Sequence, residues 1–178
     1  MSNDENIHNW LKNFSQVLAS ESERMKNLDS YDGNMFTKKK YNVVLQSEKY
    51  GLNANIPNDC PAIYIFYSKE EIVNIEPSFN EVGYGSKANL KENRSKKFIY
   101  LGKSYTIKKR IDEHLSSDES SPYSLKYNHK KRKDVLKGTV LYIFELKEEF
   151  KGYKEVILST IETNLHISCE PLIGSRRV

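Results

Sequence analysis

The chain has 178 residues, of which 38% are hydrophobic and 29% charged, with a formal net charge of +4. This length supports one well-buried core and is short for two, and the composition excludes a mainly disordered chain. The apolar runs are much shorter than the roughly 20 residues of a membrane span, so we expect no membrane partner. The first residues, MSNDENIHNW, carry no targeting segment, and Cys60 and Cys169 have no metal-ligand spacing, so we expect a reduced, cytoplasmic protein.

The first predicted element is a helix. Ser2 and Glu5 have the spacing of a capping box, and apolar residues then recur at helical intervals. We therefore predict an amphipathic helix over residues 4–26. Residues 1–55 are assigned to an N-terminal helical extension, in which NVVLQ is the candidate for a short strand.

Two runs rich in β-branched and aromatic residues follow, AIYIFY (62–67) and FIYLG (98–102). Both are typical of buried strands. Alternation along the first run predicts that Tyr64 and Phe66 share one face of a sheet.

The stretch between these runs is polar. Residues 68–97 are rich in Asn, Gly and Lys and are predicted to form an insertion with a short helix near Lys69–Val73. Loops of this length in compact domains are often functional or disordered.

The remaining elements complete an α+β domain over residues 56–178. A helix is predicted from Ser104 or Thr106 to Leu115, because Ile107, Ile111 and Leu115 form an apolar row. TVLYIFEL (139–146) predicts a third strand, and a final helix over 152–168 ends before Pro171. We therefore expect a small three-stranded antiparallel sheet flanked by helices.

A basic cluster lies between the predicted helix that ends at Leu115 and the strand at 139–146. It is the run of four cations Lys130, Lys131, Arg132 and Lys133. Such a run is usually a solvated face, but it is also the electrostatic footprint of phosphate binding, and the sequence leaves both interpretations open.

An ordered set of residues follows the predicted elements: Tyr64, Tyr100, Arg110, His114, Glu162 and Pro171. With this set, residues 56–174 resemble the GIY-YIG nuclease superfamily. AIY (62–64) resembles the first family motif with Ala62 in place of glycine, and YLG (100–102) resembles the second with leucine in place of isoleucine. In the family a helix then carries the arginine and often a histidine, and a later helix carries the glutamate.

The resemblance has two departures. Gly174 stands where the family commonly has an asparagine, and 36 residues separate Tyr64 from Tyr100, an unusually long interval. Tyr84 and Arg94 repeat the tyrosine-to-arginine interval inside the insertion. We nevertheless prefer Tyr100, because Tyr84 lacks the motif glycine and no apolar strand precedes it.

The resemblance implies a metal-dependent endonuclease. Glu162 would hold one Mg²⁺ or Mn²⁺ ion, Arg110 would bind a phosphate, and His114 would orient a water molecule or a phosphate. Each residue also has an ordinary alternative: a solvated glutamate, an arginine paired with Asp112 or Glu113, and a packed histidine. The family favours Tyr64 as general base and Tyr100 as positioning group, but the order stays open. A phenol has a pKa of about 10, so it can act as a base only if a nearby cation, such as Lys103 or Arg110, stabilises the phenolate.

We expect the substrate to be double-stranded DNA, cleaved in the manner of a type II restriction enzyme. Lys103 and the basic cluster would contact the nucleic acid, and a homodimer or sequential nicking would cut both strands. An RNA-directed or nonspecific nuclease of a toxin or defence system shares the same residues. A noncatalytic nucleic-acid-binding module is the alternative from a different class.

Overall fold

The computed structural model describes residues 3–56, 59–72, 97–116, 124–125, 127–128 and 137–173. These residues form an α+β arrangement, as the sequence predicts. The elements in chain order are helix α1 (Asn3–Lys26), strands β1 (Phe36–Gln46), β2 (Lys49–Leu52), β3 (Ala62–Ser68) and β4 (Phe98–Ser104), helix α2 (Ile107–Leu115), strand β5 (Thr139–Leu146), a 3₁₀ helix (Glu148–Tyr153) and helix α3 (Lys154–Cys169).

The sheet has five strands in the order β2-β1-β5-β3-β4, and all neighbouring strands are antiparallel. The expectation of a three-stranded sheet is therefore wrong in strand number. The two additional strands, β1 and β2, come from residues 1–55, and β1 pairs with β5 along seven residues.

The sequence predicts only the end of β1, as NVVLQ (42–46), because the first half of the strand contains three consecutive lysines, Lys38 to Lys40. Such a run ordinarily indicates a solvated loop or helix face. Here Lys39 Nζ lies 2.6 Å from Glu145 Oε2 on the neighbouring strand, and Lys40 Nζ lies 2.6 Å from Asp29 Oδ1. These partners allow charged residues to occupy a strand in the interior of the sheet.

Each face of the sheet carries its own hydrophobic core. Tyr64 and Phe66 pack with Ile107 and Ile111 of α2 on one face. Ile63 and Ile65 point to the other face. The alternation predicted for AIYIFY is therefore confirmed. The buried side chains that α1 and α3 place against this second face include Leu18, Met25, Leu158, Ile161 and Leu165.

Strand β4 forms one edge of the sheet, and the segment after α3 covers part of it. The Leu172 N–H donates to the Phe98 carbonyl at 2.7 Å, and the Ile173 N–H donates to the Ile99 carbonyl at 2.8 Å. An edge strand otherwise presents unpaired N–H and C=O groups. The segment after α3 therefore closes one end of this edge.

The predicted insertion is described only at its ends. The Ser68 N–H donates to the Lys97 carbonyl at 2.8 Å, which brings the two ends together. Residues 69–72 form no helix, so the short helix predicted near Lys69–Val73 is absent from the part of it that the structure describes.

Helix α1 confirms the predicted N-terminal helix, but its two halves differ in burial. Leu18 and Met25 in the second half are almost completely buried. Ile7, Trp10 and Leu11 in the first half are each more than half exposed. Over the residues described, no helix combines the length and apolar character needed to cross a membrane.

Candidate active site

Four of the predicted site residues meet on one face of the sheet. Tyr64 lies on β3 and Tyr100 on the adjacent β4, while Arg110 and His114 lie one turn apart on α2. The ring centroids of Tyr64 and Tyr100 are 6.0 Å apart, and those of Tyr100 and His114 are 4.9 Å apart. Residues from three elements therefore form one cluster, which we call the tyrosine cluster.

The hydroxyl oxygen of Tyr64 lies at the centre of the tyrosine cluster. Arg110 Nε donates to it at 3.1 Å, and His114 Nε2 lies 2.9 Å away. Tyr64 is only 1% exposed, and His114 is completely buried. The side chain of Tyr64 is thus enclosed with its polar atom in contact with two nitrogen atoms.

A backbone amide determines which nitrogen of His114 carries the proton. The Leu125 N–H donates to His114 Nδ1 at 2.9 Å, so Nδ1 must be the unprotonated acceptor. In the neutral ring the proton then lies on Nε2, which donates to Tyr64. Burial, and secondly the charge of Arg110, hold the pKa of His114 well below its ordinary value, which favours this neutral ring.

The charges in the cluster favour a neutral Tyr64 beside a cationic Arg110. Burial raises the pKa of Tyr64 well above its ordinary value, despite the attraction of the Arg110 charge. Burial works against the charge of Arg110, but its contacts with Tyr64 and Glu113 raise the Arg110 pKa overall. Arg110 Nη1 donates to Glu113 Oε2 at 2.7 Å. This confirms one of the two ion pairs, with Asp112 or Glu113, that the sequence allowed for this arginine.

The glycine of the YLG motif makes room for Tyr64. Gly102 lies directly opposite Tyr64 in the β3–β4 register. A Cβ atom on residue 102 would lie 2.6 Å from the Tyr64 hydroxyl oxygen and 2.8 Å from Cζ. Any larger residue would therefore displace the tyrosine ring from its hydrogen-bond partners.

Glu162 lies on α3 and contacts the next residue of β4. Its Oε1 accepts a hydrogen bond from the Lys103 backbone N–H at 3.3 Å, and its Oε2 lies 3.6 Å from Lys103 Nζ. Lys103 Nζ also donates to Ser159 Oγ at 2.6 Å. Glu162 is therefore hydrogen-bonded to the strand that carries Tyr100. Within the described residues it makes no hydrogen bond to the tyrosine cluster.

Several predicted features lie outside the described residues. They are the basic cluster Lys130, Lys131, Arg132 and Lys133, together with Gly174 and the alternative pair Tyr84 and Arg94. Pro171 follows α3, which ends at Cys169, with Glu170 in the left-handed region at a φ of 44°. Across the described ranges, no group of three or more His, Cys, Asp or Glu side chains could hold a metal ion.

Sequence patterns did not indicate the segment that holds His114. Besides the Leu125 amide, the Tyr127 N–H donates to the His114 carbonyl at 2.9 Å. The side chain of Asn128 donates to the Tyr50 carbonyl at 2.9 Å and also contacts the Leu115 carbonyl. Contacts of backbone amides leave no residue-type pattern, whereas Asn128 is a polar residue whose partners are set only by the fold.

Comparison of the chain with models of protein families, with curated proteins and with solved structures found no match in any of the three. The likeness to GIY-YIG nucleases therefore depends on the ordered residue set and its spacing. The geometry of the tyrosine cluster is independent of that likeness.

The contact between Gly102 and Tyr64 predicts a large loss of stability in Gly102→Ala. The added methyl group would push the buried ring aside, and overpacking of this kind typically costs about 1–3 kcal/mol. Urea denaturation should show this decrease in the free energy of unfolding. Gly152→Ala is the matched control, because a methyl group on residue 152 would meet no atom of the surrounding structure within 4 Å. An equal loss in both variants would contradict the explanation.

The buried His114 predicts a loss of stability on acidification. Because its folded-state pKa is lowered, the unfolded chain binds a proton below about pH 6.5 that the folded chain does not. The free energy of unfolding should therefore fall as the pH decreases below 6.5, by up to about 1.4 kcal/mol per pH unit from this residue. Urea denaturation from pH 7.5 to 5.5 should show a shallower dependence in His114→Gln and an unchanged one in the exposed control His8→Gln. Identical slopes in all three proteins would exclude this linkage.

Proposed function

We propose that the chain is a divalent-metal-dependent endonuclease that hydrolyses phosphodiester bonds of double-stranded DNA, with sequence specificity of the restriction type. The observation that carries the proposal is the tyrosine cluster itself. Two tyrosines, an arginine and a histidine from three separate elements converge around one hydroxyl oxygen. These are the residues for which the resemblance implies roles in the cleavage of phosphodiesters.

In this proposal a single hard cation would bind beside β4. Glu162 is a partly buried carboxylate whose Oε2 already faces the ammonium group of Lys103. Mg²⁺ commonly uses one or two protein carboxylates and fills its remaining positions with water and substrate oxygens. Glu162 would hold such an ion, and the ion would stabilise charge on the phosphoryl oxygens.

Arg110 would supply the permanent positive charge of the site. Its guanidinium group is held between Tyr64 and Glu113, so its position is fixed before substrate arrives. A preorganised cation of this kind stabilises charge that develops on a phosphate in the transition state. His114, as a neutral donor to Tyr64, would keep the tyrosine cluster in place.

Lys103 and the basic cluster are the proposed contacts with the DNA backbone. The side chain of Lys103 is partly exposed and its Nζ lies next to Glu162, where a bound phosphate would bring further negative charge. Lysine contacts to phosphates would position the duplex without reading its sequence. Because one such site cuts one strand, cleavage of both strands requires a homodimer or two successive nicks.

A noncatalytic nucleic-acid-binding module is the second candidate. The burial of Tyr64 and His114 favours it, because a closed and hydrogen-bonded cluster also serves as a structural core. An RNA-directed or nonspecific nuclease would use the same cluster as the DNA enzyme. Substrate comparisons separate these functions.

Incubation of the full chain with supercoiled plasmid and Mg²⁺ tests the proposal directly. We expect discrete linear fragments, and direct conversion to linear DNA would indicate two sites acting together, whereas accumulation of nicked circles would indicate successive nicking. A smear, or preferential cleavage of structured RNA, would point to the nonspecific or RNA-directed enzyme. Binding of duplex DNA without cleavage in Mg²⁺ or Mn²⁺ would favour the noncatalytic module.

Substitution of the proposed metal ligand gives a second test. Glu162→Gln removes the charge with little change in shape, and we expect cleavage in Mg²⁺ to decrease by at least about 100-fold. Glu149→Gln, an exposed glutamate of the 3₁₀ helix, is the control and should cleave as the wild type does. Circular dichroism would confirm that both variants are folded. A wild-type rate in Glu162→Gln would exclude the proposed role of this carboxylate.

A further inference from the structure

We propose that Tyr100 is the tyrosine that contacts the attacking water, and that Tyr64 is a positioning residue behind it. This inference rests on the proposed nuclease function and reverses the order that the family resemblance favours. It depends on three features of the tyrosine cluster: the hydrogen bonds of Tyr64, the exposure of the two rings, and the location of β4.

The oxygen of Tyr64 already accepts two hydrogen bonds. Arg110 Nε–H can only donate, because an arginine nitrogen cannot accept. His114 Nε2 must also donate, since the Leu125 amide occupies Nδ1 as an acceptor. A neutral phenol oxygen with two such donors has no further lone pair for a hydrogen bond from water.

The difference in exposure between Tyr64 and Tyr100 supports the same assignment. Tyr64 is 1% exposed and is surrounded by protein. Tyr100 lies on β4, where its backbone pairs with Ile173, and its side chain is partly exposed. A water molecule beside a bound phosphate can therefore reach Tyr100 without any rearrangement of the core.

Tyr64 would act by holding its neighbours. Its ring is stacked on that of Tyr100, with 26° between the planes, and its oxygen fixes the guanidinium group of Arg110. The ring of His114 contacts Tyr100 from a second side. Tyr64 thus orients both the proposed water-contacting phenol and the proposed phosphate-binding cation.

Single-turnover cleavage of duplex DNA by Tyr100→Phe and Tyr64→Phe tests the order. Each substitution keeps the ring and removes only the hydroxyl group. We expect Tyr100→Phe to lose at least about 100-fold in rate at an unchanged DNA dissociation constant, because a group that touches reacting atoms is lost. Tyr64→Phe should lose no more than about tenfold in rate, because Glu113 still holds the guanidinium group of Arg110. Tyr153→Phe, at an exposed position, is the control and should behave as the wild type.

The reverse ranking, equal losses of 100-fold or more, or no loss in either variant would overturn the inference. Nitration of the wild-type chain by tetranitromethane, mapped by mass spectrometry, provides a readout that does not require cleavage or a folded variant. We expect Tyr100 to be nitrated and Tyr64 to be protected, and the opposite pattern would also overturn the inference. If the wild type cleaves no nucleic acid while nitration follows this pattern, the proposed function fails and the order of exposure in the cluster stands.

Discussion

The hydroxyl group of Tyr64 is the constraint on which the arrangement of the site depends. A buried phenol without partners is destabilising by about 1–3 kcal/mol, so the hydrogen bonds to its oxygen stabilise this arrangement. Arg110 and His114 provide those bonds from consecutive turns of α2, which fixes how this helix lies on the sheet. Gly102 leaves the space in which the ring can reach them. Strand β3 and helix α2 are thus held together by one polar atom as well as by apolar packing.

Much of this fold could be predicted because its patterns are local. The helical spacing in α1 and α3 and the β-branched and aromatic runs of β3, β4 and β5 each identify an element without reference to the rest of the chain. The lysine-containing first half of β1 could not be found in this way, although NVVLQ (42–46) at its end was a candidate strand. Its lysines are compatible with a strand only because Glu145, more than a hundred residues away, and Asp29 neutralise two of them, and a single sequence does not specify such pairs.

In the site, too, features set by nearby residues were predictable and features set by distant residues were not. The four-residue interval between Arg110 and His114 predicts that they lie on one side of a helix, and the motif register brings Tyr64 opposite Gly102. The tautomer of His114 was not predictable, because it is set by the backbone amide of Leu125, which lies in neither a helix nor a strand. The burial of Tyr64 was not predictable either, since it results from the core that α2 forms on this face together with Leu125 and Tyr127. The sequence therefore identifies the candidate site residues more readily than the chemical role of each one, because that role depends on the surrounding structure.

The position of β4 at the edge of the sheet explains how the two parts of the proposed site can serve one substrate. Successive residues of a strand point to opposite faces, so Tyr100 and Gly102 face the tyrosine cluster while Lys103 faces α3. In the interior of a sheet, these two sets of side chains would be separated by neighbouring strands. At an edge they border the same solvent-facing margin.

One end of that margin is closed by Leu172 and Ile173, whereas at the other end Glu162 accepts the N–H of Lys103. A phosphodiester strand passing along this second end would meet the proposed metal ligand from one face of the sheet. From the other face it would approach the side chain of Tyr100, whose backbone pairs with Ile173 at the closed end. The salt bridge between Lys103 and Glu162 lies at this junction, so a divalent cation at Glu162 would have to displace a tethered ammonium group, which the incoming phosphate would then attract.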